Sequence, residues 1–169
     1  MSNKVLYFLA SLGLVIFSII TQSVLFPLFF KNDYMPDLTL IVIIYFSINY
    51  GKNIGQVLGF SSGIVLDSLS GAPFGLNTLV RLIIGFLLGF FKGKIFLDKI
   101  LLPCIIITIC TIFKFFLIQL VSMIFPIDFE INFFTIRFLI ELGMNIVLTP
   151  IIFFLLNIMA KKLYVRRDN

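Results

Sequence analysis

The sequence predicts an all-α integral membrane protein with six transmembrane helices and both termini on the cytoplasmic side. Of its 169 residues, 60% are hydrophobic and only 12% are charged, and the mean hydropathy is +1.16. Such a chain cannot cover its apolar surface with polar groups in water, so it belongs in a bilayer. The loops between its apolar segments are too short to hold a soluble domain. We therefore expect one transmembrane helical-bundle domain over residues 1–169.

Six apolar segments account for the predicted spans. The first is uncharged and too long for the apolar core of a signal peptide, so it should remain as a span. The second and third are shorter than the usual length of about 20 residues, so they must borrow flanking residues, sit in thinned lipid or form a partly re-entrant pair. In chain order, the expected spans are about 5–30, 37–51, 54–67, 74–91, 100–125 and 132–160.

Positive charge is divided unequally between the two sides of this topology. With both termini inside, nine lysines and arginines lie on the inner side, and one, Lys31, lies on the outer side. Short cytoplasmic loops carry an excess of lysine and arginine, so this count favours cytoplasmic termini. The net charge of +5 then reflects orientation and contact with anionic membrane lipid, and we expect no nucleic-acid partner.

Glycines recur at every fourth residue on the third and fourth spans. Glycine at this spacing exposes a groove of bare backbone, through which two helices in lipid can approach closely. We expect the two rows to pack these spans against each other, and docking of a partner's transmembrane helix is the alternative. The rows are Gly51, Gly55, Gly59 and Gly63, then Gly85, Gly89 and Gly93.

Charged residues inside the spans are expected to pair by depth. Asp67 closes the third span and Arg81 lies about two turns into the fourth, so the guanidinium can reach the carboxylate in an antiparallel hairpin. Lys114 and Glu141 lie at depths that match to within roughly 2 Å, and should form a second pair. Structural pairing is the expectation for these charges, and an ion or solute path is the alternative. The sixth span also carries a polar row at i+4 spacing, and we expect its Arg137 to belong to the buried ion pairs as well. The row is Arg137, Glu141, Asn145 and Thr149.

No residue pattern indicates catalysis. The chain has no histidine, the usual general base and metal ligand, and it has no G-x-S-x-G elbow or phosphate-binding loop. Asp37 and Asp67 lie at span ends in the predicted outer loops, outside any recognisable aspartyl-protease context. Cys104 and Cys110 are six positions apart in one segment and are expected to be core residues, too far apart to bridge. We expect no enzyme activity, no cofactor and no metal.

Two short motifs lie before the second span and between the third and fourth. The first is Pro36-Asp37-Leu38, and the second runs from Asp67 to Asn77 as Asp-Ser-Leu-Ser-Gly-Ala-Pro-Phe-Gly-Leu-Asn. In these motifs the chain resembles the family of rod shape-determining proteins MreD, which typically reads Pro-Asp-Leu and Asp-x-x-Ser-Gly-x-Pro-x-Gly-x-Asn at the two places. The motif positions in this chain are Pro36, Asp37, Asp67, Gly71, Pro73, Gly75 and Asn77.

The resemblance implies a non-enzymatic scaffold of the bacterial inner membrane that acts in peptidoglycan elongation and cell-shape maintenance. Members of the family bind MreC, and through it act alongside the actin-like MreB, the glycosyltransferase RodA and a penicillin-binding transpeptidase. We expect the turn 70–75 and an exposed helix face to hold MreC. One alternative is the solute-binding membrane subunit of a vitamin transporter, whose pocket the polar row could line. Another is a small channel that uses Lys114, Arg137 and Glu141.

Overall fold

The chain is predominantly helical in the part that the computed structural model describes, which comprises residues 3–29, 35–70, 73–94, 101–124 and 136–165. No strand occurs in these residues, so the all-α prediction is confirmed. The elements in order are α1 (Asn3–Ile20), a π-helical stretch (Thr21–Leu25), α2 (Phe26–Phe29), α3 (Leu38–Tyr50), α4 (Lys52–Leu69), α5 (Leu76–Gly89), α6 (Leu101–Ile124) and α7 (Ile136–Val165).

The described helices differ in whether they are long enough to cross a membrane. Three stretches are long and apolar enough to cross a membrane, namely Phe8–Leu28, Leu101–Met123 and Ile136–Ala160. The helices α3 and α5 have 13 and 14 residues, which at about 1.5 Å per residue falls short of a hydrocarbon core about 30 Å thick. Each predicted span thus has a helical counterpart in the described residues, and six full crossings stay a prediction.

The short helix α3 forms the centre of the bundle. Its ten residues from Thr39 to Ile48 are all buried, and α1, α4, α5 and α7 pack around it. An apolar helix can be surrounded by lipid as well as by protein, so the burial of α3 is set by the helices packed around it. Near its far end, the Tyr45 hydroxyl donates to Asn157 Oδ1 on α7 at 2.8 Å, which ties the centre to the periphery.

Helices α4 and α5 form an antiparallel hairpin whose backbones touch along the glycine rows. A methyl group added at Gly55 would lie 2.3 Å from the carbonyl oxygen of Gly85, and the reverse substitution gives the same distance. Gly59 faces the backbone of Arg81 in the same way, and Gly63 faces Thr78. The rows therefore bring α4 and α5 together inside this chain, the first of the two alternatives that the spacing raised.

The glycines at the ends of the two rows differ from the middle ones in their contacts and backbone angles. Gly89 packs against the backbone of Lys52, whereas Gly93 has open space at its Cβ position and a φ of +72° in a turn beyond α5. Gly51 forms the turn between α3 and α4 with a φ of +98°, and its backbone lies against Gly89 beside that of Lys52. The expectation that Gly93 packs a helix is therefore wrong, since α5 has already ended at Gly89.

Candidate functional site: a buried charge cluster at one end of the bundle

Asp37 lies at the centre of a cluster of buried charges. It is 1% exposed and forms the N-cap of α3, where its Oδ1 accepts the backbone N–H of Leu40 at 2.9 Å. Arg81 Nη2 lies 2.8 and 2.9 Å from the two carboxylate oxygens, and Lys114 Nζ lies 2.8 Å from Oδ2. A buried carboxylate persists only when cations and hydrogen-bond donors surround it, and Asp37 has both.

Lys114 on α6 joins Asp37 to a second carboxylate. Its ammonium group contacts Glu141 Oε1 on α7 as well as Asp37 Oδ2. The Lys114 and Glu141 side chains are 12% and 8% exposed, so the pair that matching depth predicts lies inside the protein. The four residues Asp37, Arg81, Lys114 and Glu141 form one network with two positive and two negative charges. We call these four residues the charge cluster.

The expected pair between Asp67 and Arg81 is wrong. The Arg81 guanidinium extends from α5 to the start of α3 and contacts Asp37 instead. The oxygens of Asp67 are occupied by another set of donors, the first residues of α5. Both carboxylates lie at the same end of the bundle, so depth along the helices alone could not distinguish them.

Asp67 stabilises the turn that leads into α5. Its carboxylate accepts the backbone N–H groups of Gly75, Asn77 and Thr78 at 2.9, 2.9 and 3.1 Å, and the Thr78 hydroxyl at 2.6 Å. Gly75, the N-cap residue of α5, has a φ of +100° and no side chain to cap the helix. A carboxylate from α4 therefore supplies the capping oxygens, and its charge faces the positive end of the helix dipole.

The other motif positions occupy the same end. Pro36 is buried directly before Asp37, and the Pro73 carbonyl accepts the N–H of Leu76 at 3.1 Å. Asn77 contributes its backbone N–H to Asp67, and Gly71 lies outside the described residues. In the described residues, the first motif starts the buried helix α3, and the second fixes the turn into α5.

Two amide side chains that the sequence did not single out as partners complete the start of α3. Asn145 Oδ1 on α7 accepts the Asp37 N–H at 2.8 Å, and Gln22 Oε1 accepts the Thr39 N–H at 3.2 Å. Gln22 belongs to the π-helical stretch, a type of turn that is frequent at functional sites. A buried helix N-terminus needs such partners because its first N–H groups have none within the helix.

The polar row on α7 is divided by burial. Glu141, Asn145 and Thr149 are buried on the side facing the core, whereas Arg137 is exposed. The Asn145 Nδ2 group also donates to Thr111 on α6 at 3.1 Å. The expectation that Arg137 takes part in a buried ion pair is therefore wrong, since Arg137 lies within the first helical turn of α7, at the rim of the bundle.

A cavity of about 410 Å³ lies against the charge cluster. All four residues of the cluster line it, together with Arg137 at its rim.

Among the described residues, no group of three or more cysteines, aspartates and glutamates is placed to hold a metal ion. Cys104 and Cys110 are both free thiols. The arrangement neutralises buried charge and joins α3, α5, α6 and α7.

These features define an α-helical membrane protein whose interior charges tie its helices together at one end. The family model described as rod shape-determining protein MreD matches residues 2–159, and the chain therefore belongs to the MreD family, as its motifs indicated. It is accordingly a bacterial membrane protein with a role in determining rod shape. Comparison with curated proteins and with solved structures gave no match.

The family match also bears on the alternative functions that the sequence raised. It gives no support to a solute-binding subunit of a vitamin transporter. The family is defined by its role in cell shape rather than by a chemical reaction.

No pattern in the sequence identifies Asp37 as the centre of the cluster, because α3 is no more apolar than α6, which is largely exposed. The burial of ten consecutive residues after Leu38 follows from the helices packed around α3. An aspartate at the N-cap of a wholly buried helix is itself buried, and it must then find cations at the same level of the bundle.

Proposed function

We propose that this protein is a non-enzymatic scaffold of the bacterial inner membrane that binds MreC and helps to maintain cell shape. MreB, RodA and a penicillin-binding transpeptidase would belong to the same peptidoglycan elongation complex. Membership of the MreD family over residues 2–159 is the observation that carries this proposal. The topology that goes with it has six transmembrane helices and cytoplasmic termini, as the distribution of lysine and arginine favours.

The interior of the protein supports a scaffolding role. The charge cluster and the caps of α3 and α5 satisfy most of their buried polar groups within the chain. A buried polar network of this kind holds its helices in one arrangement, because shifting any helix would leave further charges or N–H groups unpaired in a low dielectric. A rigid bundle of this kind can hold a partner at a fixed position relative to the membrane.

The glycine rows are not available to a partner helix. The backbone of α5 already fills the groove of α4 at Gly55, Gly59 and Gly63. A second helix could reach these glycines only by displacing α5, which would also break the capping contacts of Asp67. We therefore propose that MreC binds on another face of the protein.

The turn between α4 and α5 offers such a face. Phe74 is 75% exposed and Leu69 is 59% exposed, and both lie beside the segment that Asp67 fixes. Exposed apolar side chains on a rigid support make good anchors for a partner, because little conformational freedom is lost on binding. We name Leu69, Ser70 and Phe74 the turn surface, and propose that it contacts MreC.

Site-specific photo-crosslinking in cells tests this assignment. A photoreactive phenylalanine analogue at position 74 should crosslink to MreC, whereas the same analogue at Phe90 should not. Phe90 is a matched control because it is 49% exposed and lies after α5, at the opposite end of that helix. Crosslinks to MreC from Phe90 with none from Phe74 would overturn the turn surface as the docking site.

A second measurement tests the scaffold role itself. Affinity purification of the full chain from cells should recover MreC, and a Phe74→Ala variant should recover less of it while remaining folded. Recovery of no MreC by the unmodified protein would contradict the proposed function. Recovery that is unchanged by Phe74→Ala would contradict only the assigned surface.

A further inference from the structure

One buried nitrogen at the edge of the cavity has no partner among the described residues. Arg81 Nη2 contacts both oxygens of Asp37, but Nη1 makes no hydrogen bond to any described residue, although the Arg81 side chain is only 3% exposed. In the described part of the chain, Arg81 Nη1 and Gln119 Oε1 are the buried side-chain polar atoms without a partner, and only Arg81 lines the cavity. Buried polar groups are nearly always paired, so an unpaired guanidinium nitrogen indicates that something else supplies the acceptor.

The charges that line the cavity favour an anion. Among the described residues that line it, three cations, Arg81, Lys114 and Arg137, accompany two carboxylates, Asp37 and Glu141, which leaves an excess of one positive charge. Both carboxylates are already engaged by Lys114, and Asp37 by Arg81 as well. An acceptor with negative charge would therefore complete the electrostatic balance of the cavity.

The shape and the remaining walls fit a phosphate group that carries an apolar tail. The volume of about 410 Å³ lies within the usual range of small-molecule sites. Apolar side chains of α4, α5 and α6 form much of the wall, including Leu66, Leu76 and Ile118. Exposed side chains such as Leu69 and Arg137 also contribute, so the cavity reaches the surface of the described bundle.

We propose that this cavity binds an anionic phosphate group, with Arg81 Nη1 donating to a phosphate oxygen and Arg137 acting as a second cation at the rim. Guanidinium groups suit this role because their planar N–H donors match the geometry of phosphate oxygens. The phosphate can come from the headgroup of an anionic phospholipid, or from free phosphate in the aqueous phase. The proposal concerns a ligand site and does not depend on MreC binding.

Two variants separate the phosphate site from the fold. Arg81→Lys keeps a positive charge beside Asp37 but cannot provide two separate nitrogens, so it should fold and lose the phosphate donor. Arg137→Gln removes the rim cation at an exposed position, where folding does not depend on it. Lys94→Gln is the control for charge, because Lys94 is exposed beyond the opposite end of α5.

The first measurement is retention of lipid by the purified full-length protein. Native mass spectrometry from micelles that contain equal amounts of phosphatidylglycerol and phosphatidylcholine should show one phosphatidylglycerol retained preferentially. Loss of a hydrogen bond to a charged group should weaken this retention about tenfold in Arg81→Lys, with a smaller loss in Arg137→Gln and none in Lys94→Gln. Equal retention of both lipids, or retention by both site variants at the level of the unmodified protein, would overturn a lipid as the source.

The second measurement distinguishes the lipid from a soluble source. In lipid-free detergent, inorganic phosphate at constant ionic strength should raise the melting temperature of the protein more than chloride does if free phosphate is the ligand. This rise should disappear in Arg81→Lys. If neither phosphatidylglycerol nor inorganic phosphate binds in an Arg81-dependent manner, the cavity is not an anion site and the proposal fails.

Discussion

Asn145 on α7 accepts the backbone N–H of Asp37 at 2.8 Å, and this one hydrogen bond links the last long helix to the N-cap residue of the buried helix α3. The two residues are 108 positions apart in the chain. Because Asn145 is 0% exposed and also donates to Thr111, α6 and α7 are both fixed against the start of α3. The charge cluster is assembled around this point.

Removal of the Asn145 amide should therefore destabilise the protein. We expect Asn145→Ala to lower the free energy of unfolding by about 1–3 kcal/mol, since it leaves the N–H of Asp37 buried without an acceptor. Asn53→Ala is the control, because Asn53 is exposed on α4, and it should change stability by less than about 0.5 kcal/mol. Unfolding in mixed micelles of increasing denaturing-detergent content measures both. Equal midpoints for the two variants would contradict the role of Asn145.

A double-mutant cycle can decide which carboxylate pairs with Arg81. The structure places Arg81 against Asp37, not Asp67, so Asp37→Asn and Arg81→Gln should be coupled by about 0.5–3 kcal/mol. Asp67→Asn and Arg81→Gln should be nearly additive, because Asp67 interacts with the N-terminal turn of α5 instead. The measurement is again the free energy of unfolding of each single and double variant. A larger coupling for Asp67 than for Asp37 would restore the pair that the sequence suggested.

Exchange of the two charges at Lys114 and Glu141 should restore stability only in part. Each single change, Lys114→Glu or Glu141→Lys, places like charges together and should be strongly destabilising, by about 3–5 kcal/mol. The double variant re-forms the pair, but it also places a glutamate at position 114 next to Asp37, which lies 2.8 Å from Lys114 Nζ. Membrane yield and the unfolding midpoint measure the outcome. Full recovery would show that Asp37 does not interact with position 114.

Patterns along single helices made part of this structure predictable. The glycine rows and the matching depths of Lys114 and Glu141 depend only on helical spacing, and the structure brings these residues together. The partner of Arg81 could not be found in this way, because Asp37 and Asp67 both lie at the same end of the bundle. The choice between them depends on how α3 sits inside the other helices, which is a property of tertiary packing.

The caps were harder still to predict. Gln22 reaches Thr39 from a π-helical stretch, and no period in the sequence marks where an α-helix widens by one residue. Arg137 was grouped with the buried row because it shares the i+4 spacing, yet it lies in the first turn of α7 and is exposed. Spacing assigns residues to a face of a helix, but burial also depends on where the neighbouring helices end.

The backbone contact between α4 and α5 at Gly55 and Gly85 allows a final prediction, for which Gly143 on α7 provides the control. Gly55→Ala would place a methyl group 2.3 Å from the carbonyl oxygen of Gly85, so the α4 and α5 backbones must separate. Overpacking of this kind costs about 1–3 kcal/mol. Gly143→Ala on α7 adds the same methyl group in open space, and it should be neutral or stabilising by up to about 1 kcal/mol because alanine favours the helix. The unfolding midpoints of the two variants are compared. If Gly55→Ala is as well tolerated as Gly143→Ala, α4 and α5 do not need backbone contact.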